Sequence, residues 1–523
     1  MSSPMTVFGR LAALALAVAL PALAQGQSTL TSQGSELSLS GERPGDQTWP
    51  GLALGADYGY AVWQDNALDT AGTGIGARLL GPDGAPLDAP FRVNAATGGN
   101  PAKPGVALLR DGGAVFVWQD GRAGFQSVYA RFLNERGSFL STDLLVSQPL
   151  FSARTRSVVS WPTIRNNRLV TRRFLIFRTI NHRREFNTGA AAAGLSDGNA
   201  VVAYASYTRL TTNEPALSPE IRFFGSTAVT NSLVVGSSRA EDNMQDIYVR
   251  RYTPGGLALG AEFRANQTIK FNQRDPAITA LDGGAFVVVW VTEQRLTVPP
   301  ALRGATLDNL VNTPEIYGRV FDAAGNALSA EFAVNTSDAA CASPSVAKTA
   351  DGGFRVVWAQ QAAEPSGGWD VYSRRFDRLS AAAGAAVRVN VETIGDQVGP
   401  RIASAPAGEV VVWTTRLDSA RLVRLQTRGR LPEGDPNALT PAERAEMREQ
   451  LRLFGQGEDV HARWMSGDSF GGGQFLVNAT TLGRQFQPTC AAASNNRVFI
   501  GWSGLTLTSG FEVFGQLYSA SQP

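Results

Sequence analysis

The residues that could do chemistry in this chain are few, and their spacing selects no single reaction. His461 stands inside a repeated strand motif, where packing is its default role, and His182 lies in an arginine-rich segment without an obvious partner. The sequence contains no metal-binding cluster of His and Cys, no Gly-x-Ser-x-Gly turn and no phosphate-binding Gly-rich loop. We therefore predict no metal and no cofactor. A pair of carboxylates gathered from distant loops would suffice to cleave glycosidic bonds, although nothing in the sequence selects that pair.

One segment concentrates positive charge. Residues 148–189 hold nine arginines and a single acid, Glu185, whereas the whole chain carries a net charge of only +2. A basic segment on an otherwise slightly acidic body can attract an acidic glycan or another anionic surface. The candidate ligand-binding residues are Arg172, Arg173, Arg183 and Arg184. The alternative is a structural segment whose arginines pair with acidic neighbours on the same face.

The elements that must position these residues are repeated along the chain. Seven apolar runs end in an aromatic residue: Trp63, Trp118, Tyr204, Trp290, Trp358, Trp413 and Trp502. Each is followed by a strand-like stretch that ends in Arg78, Arg131, Arg250, Arg319, Arg374, Arg463 or Gln516. In six copies a short apolar segment closed by Asn or Ser then follows, as at Asn94 and Ser147. Each copy therefore indicates four short β-strands bounded by Gly, Asp, Asn and Pro.

Seven copies of four antiparallel strands predict an all-β fold, a seven-bladed β-propeller. The last copy stops after its third strand, and the missing fourth lies at the other end of the chain, where Glu36 to Ser40 has the spacing of an outer strand. We expect this N-terminal strand to complete the last blade and close the ring. A pair of smaller propellers or an open solenoid is the alternative, but neither explains the split repeat.

Departures from the repeat fall in four insertions. They span residues 148–189, 208–245, 293–314 and 416–458, and each lies between strands two and three of a blade or between two blades. In an up-and-down blade both kinds of connection emerge on the same face, so we expect this face to bind ligand. The last insertion carries helix signals: Thr440 as cap, Pro441 in the first turn and Glu443 three residues after the cap.

The N-terminus has the anatomy of a secretory signal, residues 1–24, cleaved after Ala24. Arg10 precedes an apolar run that is too short to span a bilayer, and no Cys follows the run to carry a lipid anchor. We expect residues 25–523 to form one propeller domain, periplasmic or secreted. Cys341 and Cys490 belong to blades that are not neighbours, so a disulfide is not the favoured state.

The repeat unit resembles a known group of proteins. Its features are the "DGG" turn at Asp282 to Gly284, the "VVVW" run ending at Trp290, and the stretch "EIYGRVFDAAGNALSAEFAVN" from Glu315 to Asn335. This pattern is similar to the repeats of secreted bacterial β-propeller proteins of poorly characterised function, and the likeness covers nearly all of the chain after the signal. It implies the fold and an exported address only. The repeat departs from the sialidase Asp-box and from the WD signature, so their activities are not carried over.

The recurring residues are expected to be structural. A large aromatic present once per blade at the end of an inner strand is expected to pack between blades rather than to stack on a sugar. The strand-three arginine is expected to form a structural ion pair, for example with Asp65 or Asp120, rather than to line an anion site. The terminal Asn is expected to satisfy backbone groups at the turn into the next blade.

Two classes of function fit this sequence. The favoured class is an exported, non-catalytic binding or scaffold protein that uses the loop-bearing face to hold a glycan, an envelope component or a protein. Nucleic acid is not a favoured partner, because the net charge is only +2. The alternative is a secreted polysaccharide hydrolase or lyase with carboxylates near the central channel. The two classes differ in whether carboxylates converge at the channel mouth.

Overall fold

The fold is taken from a computed structural model, which describes most of the chain. The described residues are 29–69, 72–123, 125–147, 151–165, 168–215, 232–235, 245–269, 271–295, 312–362, 368–416, 428, 438–454, 457–481, 483–506 and 509–521. Within these ranges, only the backbone is described for 151–165, 168–186, 208–215, 232–235, 294–295, 312 and 448–454. The expected signal at residues 1–24 lies outside the described residues.

The described strands form seven antiparallel sheets, one for each copy of the repeat. Blade one holds β2 (Gln47–Leu54), β3 (Gly59–Asp69), β4 (Gly72–Leu80) and β5 (Phe91–Arg92). Blade two holds β6 (Ala102–Leu108), β7 (Ala114–Asp120), β8 (Ser127–Leu133) and β9 (Leu144–Leu145). Blade three holds β10 (Phe151–Arg165), β11 (Arg168–Gly194), β12 (Ala200–Pro215), β13 (Ser232–Val235), β14 (Gln245–Tyr252) and β15 (Phe263–Arg264). Blade four holds β16 (Gln273–Ala280), β17 (Phe286–Arg295), β18 (Asn312–Phe321) and β19 (Phe332–Ala333).

The remaining three blades follow the same order. Blade five holds β20 (Cys341–Lys348), β21 (Phe354–Gln361), β22 (Trp369–Phe376) and β23 (Val387–Arg388). Blade six holds β24 (Asp396–Ala405), β25 (Gly408–Arg416), α1 (Pro441–Phe454), β26 (Asp459–Ser466), β27 (Ser469–Phe470) and β28 (Phe475–Leu476). Blade seven holds β29 (Gln485–Ala492), β30 (Arg497–Thr506), β31 (Gly510–Ala520) and β1 (Leu30–Ser38).

The seven sheets are arranged in a ring. The inner strand of each blade contacts the inner strand of the next, and the contact of β2 with β29 joins the first blade to the last. The predicted all-β, seven-bladed propeller of four-stranded blades is confirmed. Blades three and six carry additional strands, and a single α-helix is described. That helix begins at Pro441 as the capping signals predict, with Glu443 N donating to Thr440 Oγ1 at 3.2 Å and Thr440 N donating to Glu443 Oε2 at 2.8 Å.

The outer strand of blade seven comes from the opposite end of the chain. β1 pairs antiparallel with β31, with Leu37 opposite Gly515 and Ser38 opposite Phe514. Leu39 then donates its N–H to Val513 O at 2.7 Å, and its side chain is fully buried. The strand begins at Leu30, several residues earlier than the repeat spacing indicates.

Seven aromatic side chains fill the blades. The repeated tryptophans and Tyr204 are all within 1% of complete burial. Most of them stack on the aromatic of the third strand, as Trp118 does on Tyr129 at 6.1 Å between ring centroids. His461 takes the same place against Trp413 at 6.4 Å, and burial lowers the pKa of its imidazole. Their burial supplies apolar area to the core between blades and leaves no face for a sugar.

The strand-three arginine joins neighbouring blades, and we call this interaction the arginine clamp. In each of six blades its Nη1 donates at 2.6–3.1 Å to the carbonyl of the residue that directly follows the outer strand of the preceding blade: Leu39, Val93, Val146, Ala265, Val334 and Val389. In five of these blades its Nε donates at 2.6–3.2 Å to the turn after strand three: Asp88, Ser141, Ser329, Gly384 and Gly472.

The clamp corrects the expected ion pair with Asp65 or Asp120. Asp65 accepts hydrogen bonds from the indole of Trp63 and from two backbone N–H groups, and Asp120 accepts from the N–H groups of Asn100 and Gly121. The physical reason is that the carbonyl at the end of an outer strand lies beyond the ladder, and a guanidinium has enough donors to satisfy it and a turn carbonyl at once.

The terminal Asn of each outer strand completes this joint. In five blades its Oδ1 accepts a backbone N–H at the start of strand three at 2.7–2.8 Å, and its Nδ2 donates at 2.6–2.9 Å to the carbonyl two residues further on. The predicted role in satisfying backbone groups is confirmed. Blade seven differs, because Gln516 stands in place of the arginine and its Nε2 donates to carbonyls of Gln33, Gly34 and Leu517.

A buried acid lies between blades five and six. Glu409 is 4% exposed, and burial raises the pKa of its carboxyl to about 6, while the charges of Arg355 and Arg375 act to lower it. Arg355 is itself buried and lies 3.4 Å from Asp468. Because the folded pKa exceeds the ordinary value of 4.5, the protonated acid favours folding. This stabilisation is complete below pH 4.5 and is lost as the pH rises through 6.

We predict that deletion of residues 28–45 destabilises the ring severely. The deletion removes β1, exposes the edge of β31, and removes the Leu39 carbonyl to which Arg78 donates. Leu39→Ala alone should cost about 2–5 kcal/mol as a buried large-to-small change, whereas the exposed Ser35→Ala serves as control. Thermal unfolding measures both, and a deleted chain that keeps the parent's Tm contradicts the prediction.

We also predict that Glu409→Gln changes the pH dependence of stability. The parent should lose about 2 kcal/mol relative to the variant between pH 4.5 and pH 7, since a rise from 4.5 to about 6 corresponds to this energy. Urea unfolding of both proteins across this range measures the difference. Glu135→Gln, an exposed acid in a turn, should leave the pH dependence unchanged. Parallel pH profiles for the parent and Glu409→Gln would refute a raised pKa.

Candidate functional site

The arginine-rich insertion is a hairpin rather than an irregular loop. The backbone of β10 pairs with β11, which places Arg172 opposite Trp161 and Arg173 opposite Ser160. Further along, β11 pairs with β12, so that Arg183 lies opposite Arg209 and Arg184 opposite Thr208. The side chains of these four candidate residues, and that of His182, lie outside the described part of the structure. Their proposed contact with ligand remains a prediction.

The inner strands share an unusual backbone feature near their starts. One residue in each has a positive φ between +49° and +66°: Trp49, Lys103, Gly189, Asp275, Ser343, Gly399 and Gln487. A register shift marks this point in every inner strand, and proline follows the residue in all blades except the third. We call these seven residues the bulge ring. A positive φ costs a residue other than glycine about 1–2 kcal/mol, and such strain clusters at functional sites.

A cavity of about 260 Å³ opens at the bulge ring. Blades one, five, six and seven line it together, which places it at the mouth of the central channel. The lining side chains that carry charge, aromatic rings or hydroxyls include Trp49, Ser343, Arg401, Arg416, Glu458 and Arg484. Arg416 and Glu458 also border the insertion at 416–458, so this insertion starts and ends at the cavity rim.

Two of the three cavity arginines are paired with acids. Arg416 Nε lies 3.3 Å from Asp396 Oδ2, and Arg484 Nε lies 2.9 Å from Glu458 Oε2. The second pair is also fixed through the backbone, because the carbonyl of Glu458 accepts the N–H of Gln485 at 2.7 Å. These contacts hold two carboxylates and two guanidinium groups in fixed positions around the cavity.

The third arginine, Arg401, is less well compensated. Its Nη1 donates to Pro400 O at 2.9 Å, and burial lowers the pKa of its guanidinium. Asp275 of the bulge ring is close enough for its charge to oppose this effect. Asp275 also contacts Arg274, whose Nε lies 2.6 Å from Glu293 Oε1. Blade four therefore places a carboxylate near Arg401, while Glu458 lines the cavity itself.

Aromatic surface adjoins these charges. Trp49 is 37% exposed, and Lys103 Nζ lies 4.9 Å from its ring centroid. The backbone N–H of Trp49 donates to Gln487 Oε1 at 2.9 Å, which ties two members of the bulge ring together. Phe486 also lines the cavity and packs edge-on against Phe511 at 5.2 Å. An exposed indole beside charged groups suits a ligand with one apolar face and several polar groups.

The sequence prediction of site residues missed this cavity. Its lining residues come from blades one, five, six and seven, and no shared sequence motif marks them. One signal was available: among the copies with a first-strand proline, the residue that follows it is small except in blade six, where it is Arg401.

The described residues hold no group of three or more His, Cys, Asp or Glu side chains able to bind a metal. Both cysteines are free thiols. Among the described helices, none has the length and apolar character needed to cross a membrane.

Comparisons with known proteins find matches among solved structures. No protein-family model and no curated protein matches the chain. A Dyadobacter fermentans protein of unknown function is 12% identical, with 80% of this chain and 95% of that chain covered and a TM-score of 0.39. A GH93 α-L-arabinofuranosidase of Fusarium graminearum is 10% identical, with coverages of 73% and 93% and a TM-score of 0.38. The NanB sialidase of Streptococcus pneumoniae is 8% identical, with coverages of 94% and 70% and a TM-score of 0.39.

These findings correct the favoured functional class. The sequence favours a non-catalytic binding or scaffold protein, whereas the similar structures include glycoside hydrolases, among them the arabinofuranosidase and the sialidase. The alternative, a polysaccharide hydrolase or lyase, agrees better with them. At identities of 8–12% and TM-scores of 0.38–0.39 these structures assign no role to any residue of this chain, so the residues that would act must be found in its own site.

Proposed function

We propose that this protein is an exported polysaccharide hydrolase whose active site is the cavity at the channel mouth. The observation that carries the proposal is the convergence of Glu458 and four members of the bulge ring, among them the exposed Trp49, on one cavity. A carboxylate held beside an exposed aromatic ring combines the two things that glycoside cleavage needs, which are an acid or base and a surface on which a sugar ring can rest.

Hydrolysis of a glycosidic bond needs two carboxyl groups. One protonates the oxygen of the departing sugar as its bond to the anomeric carbon breaks. The other removes a proton from the attacking water, or attacks the anomeric carbon itself. We assign the second role to Glu458, because its contact with Arg484 orients its carboxylate on the cavity wall.

Asp275 supplies the other carboxyl group in this proposal. It belongs to the bulge ring, its side chain is 53% exposed, and its charge acts on Arg401, which lines the cavity. Asp275 and Glu458 come from blades four and six, so a sugar chain that crosses the channel mouth would lie between them. The positive φ of Asp275 is then a strain retained because it aims a catalytic group at the axis.

The arginine-rich hairpin would recruit substrate. Its concentration of positive charge suits an acidic polysaccharide or the surface of a cell envelope, and an exported address would bring the protein to such material. The binding contributed by this segment would be electrostatic and therefore sensitive to salt.

We predict that Glu458→Gln and Asp275→Asn each abolish most of the activity. Loss of one acid or base should lower kcat about 10²–10⁴-fold, while Glu135→Gln, in an exposed turn, should retain the parent's rate. The measurement is the release of reducing ends from a panel of neutral and acidic polysaccharides. Hydrolysis yields reducing ends without new ultraviolet absorbance, whereas products that absorb through a new double bond would identify a lyase and overturn the hydrolase assignment. A parent that cleaves nothing in the panel, or variants as active as an active parent, would count against this site.

We predict that replacing Arg172, Arg173, Arg183 and Arg184 together with Ser weakens association with acidic polysaccharide. Surface charges contribute little to folding, so Tm should stay nearly unchanged. Retention on immobilised acidic polysaccharide at increasing salt measures the effect, and the variant's retention should depend less on salt. Equal retention at low salt, or unfolding of the variant, would show that the hairpin's arginines are structural.

A further inference from the structure

Arg401 breaks the pattern of the inner strands. It stands two residues after the bulge-ring residue of its blade, where the other blades carry Gly51, Gly105, Ala191, Ala277, Ser345 and Thr489. The reason for small residues is visible in blades one and two. A Cβ added to Gly51 would lie 2.9 Å from Val62 Cγ1, and one added to Gly105 would lie 3.3 Å from Val117 Cγ2. A long, charged side chain at this crowded position is unexpected on packing grounds.

The charge of Arg401 lacks a close counter-ion among the described residues. No described carboxylate lies within 4.0 Å of its guanidinium, in contrast to Arg416 and Arg484 in the same cavity. Its nearby thiol, Cys490, cannot serve, because burial raises the pKa of that thiol to about 12 and leaves it neutral. Asp275 acts on Arg401 from further away and already contacts Arg274. Arg401 is partly buried, and a charge withdrawn from water is costly unless it is paired, so this arrangement favours a bound anion.

The surroundings of Arg401 select the kind of anion. The cavity volume of about 260 Å³ is slightly below the roughly 300–1,000 Å³ typical of small-molecule sites. Its wall includes the exposed indole of Trp49 and the hydroxyl of Ser343. A simple inorganic anion would leave the aromatic surface unused. A sugar acid presents a carboxylate to the guanidinium, an apolar ring face to the indole, and hydroxyls to the polar wall.

We propose that Arg401 binds the carboxylate of a uronic acid, so that the cavity is a subsite for acidic polysaccharide. An arginine suits this role because its planar guanidinium can donate two parallel hydrogen bonds to one carboxylate. This substrate class rests on the proposed function, whereas binding of the free sugar acid does not require that the protein be catalytic.

The test measures binding directly, by calorimetry on the full chain with glucuronate, galacturonate, glucose, galactose and sulfate. Loss of a charge-assisted hydrogen bond should weaken uronate binding about tenfold to a hundredfold in Arg401→Met. Arg136→Met is the matched control, since Arg136 is 84% exposed. Ser343→Glu is the second variant: it places a carboxylate in the cavity beside an intact Arg401 and should also abolish uronate binding.

The outcomes separate cleanly. The proposal is supported if uronates bind the parent and the control more tightly than glucose and galactose do. It also requires that uronates fail to bind both cavity variants. Equal binding of uronates and neutral sugars, unchanged uronate binding in Arg401→Met, or sulfate binding as tight as uronate binding overturns it. Should Arg401→Met fail to fold, Ser343→Glu decides the question alone. Cleavage of neutral polysaccharides only would overturn the acidic substrate class and keep the proposed hydrolase activity. Uronate binding without any cleavage would overturn the hydrolase activity and keep the uronate site.

Discussion

The arginine clamp is the interaction on which the rest of the ring depends. The outer strands of blades one to five are two residues long, as is β28 of blade six, and a strand of that length is not stable by itself. Each clamp arginine donates to the residue that directly follows the outer strand of the preceding blade, for example Arg131 to Val93 O at 2.6 Å. Only arginine combines a long side chain with donors on several nitrogens, so one residue both fixes a short strand and joins two blades. Hydrophobic packing fills the blades, but it is non-directional and does not by itself set their angular order.

The separation of packing residues from axial residues explains why residues near the central axis of the ring can form a ligand site. Tryptophans and clamps hold the blades together away from the axis, so residues of the bulge ring need not contribute to packing. Trp49, Lys103, Asp275, Ser343 and Gln487 all tolerate a positive φ that a purely structural position would assign to glycine, as Gly189 and Gly399 do. The stability of the ring compensates for the strain, and the strained residues present differing side chains at one opening.

The sequence predicts the fold well, because a propeller repeats one four-stranded unit. A motif that is ambiguous in one copy of this unit is identified by comparison with the other copies. The aromatic, the arginine and the terminal Asn all mark positions that recur for physical reasons. The partner of the arginine was predicted wrongly, since the expectation that charges pair with charges ignored the carbonyls that lie beyond the ladder at the ends of the outer strands. The cavity could not be predicted from spacing, because Glu458 and Arg484 meet through a bridge between different blades. Only the size of Arg401 at a position of small residues pointed to it.

Blade seven has Gln516 at the position of the clamp arginine. The described hydrogen bonds of the Gln516 side chain are all made within blade seven. The joint between blades six and seven is held instead by the apolar cluster that includes Val412, Trp464 and Trp502, and by contacts of Glu458. Its carboxylate lies 2.9 Å from Arg484 Nε, and its carbonyl accepts the N–H of Gln485 at 2.7 Å. Glu458 and Arg484 also line the cavity, so at this one joint the contacts that connect two blades are part of the cavity wall.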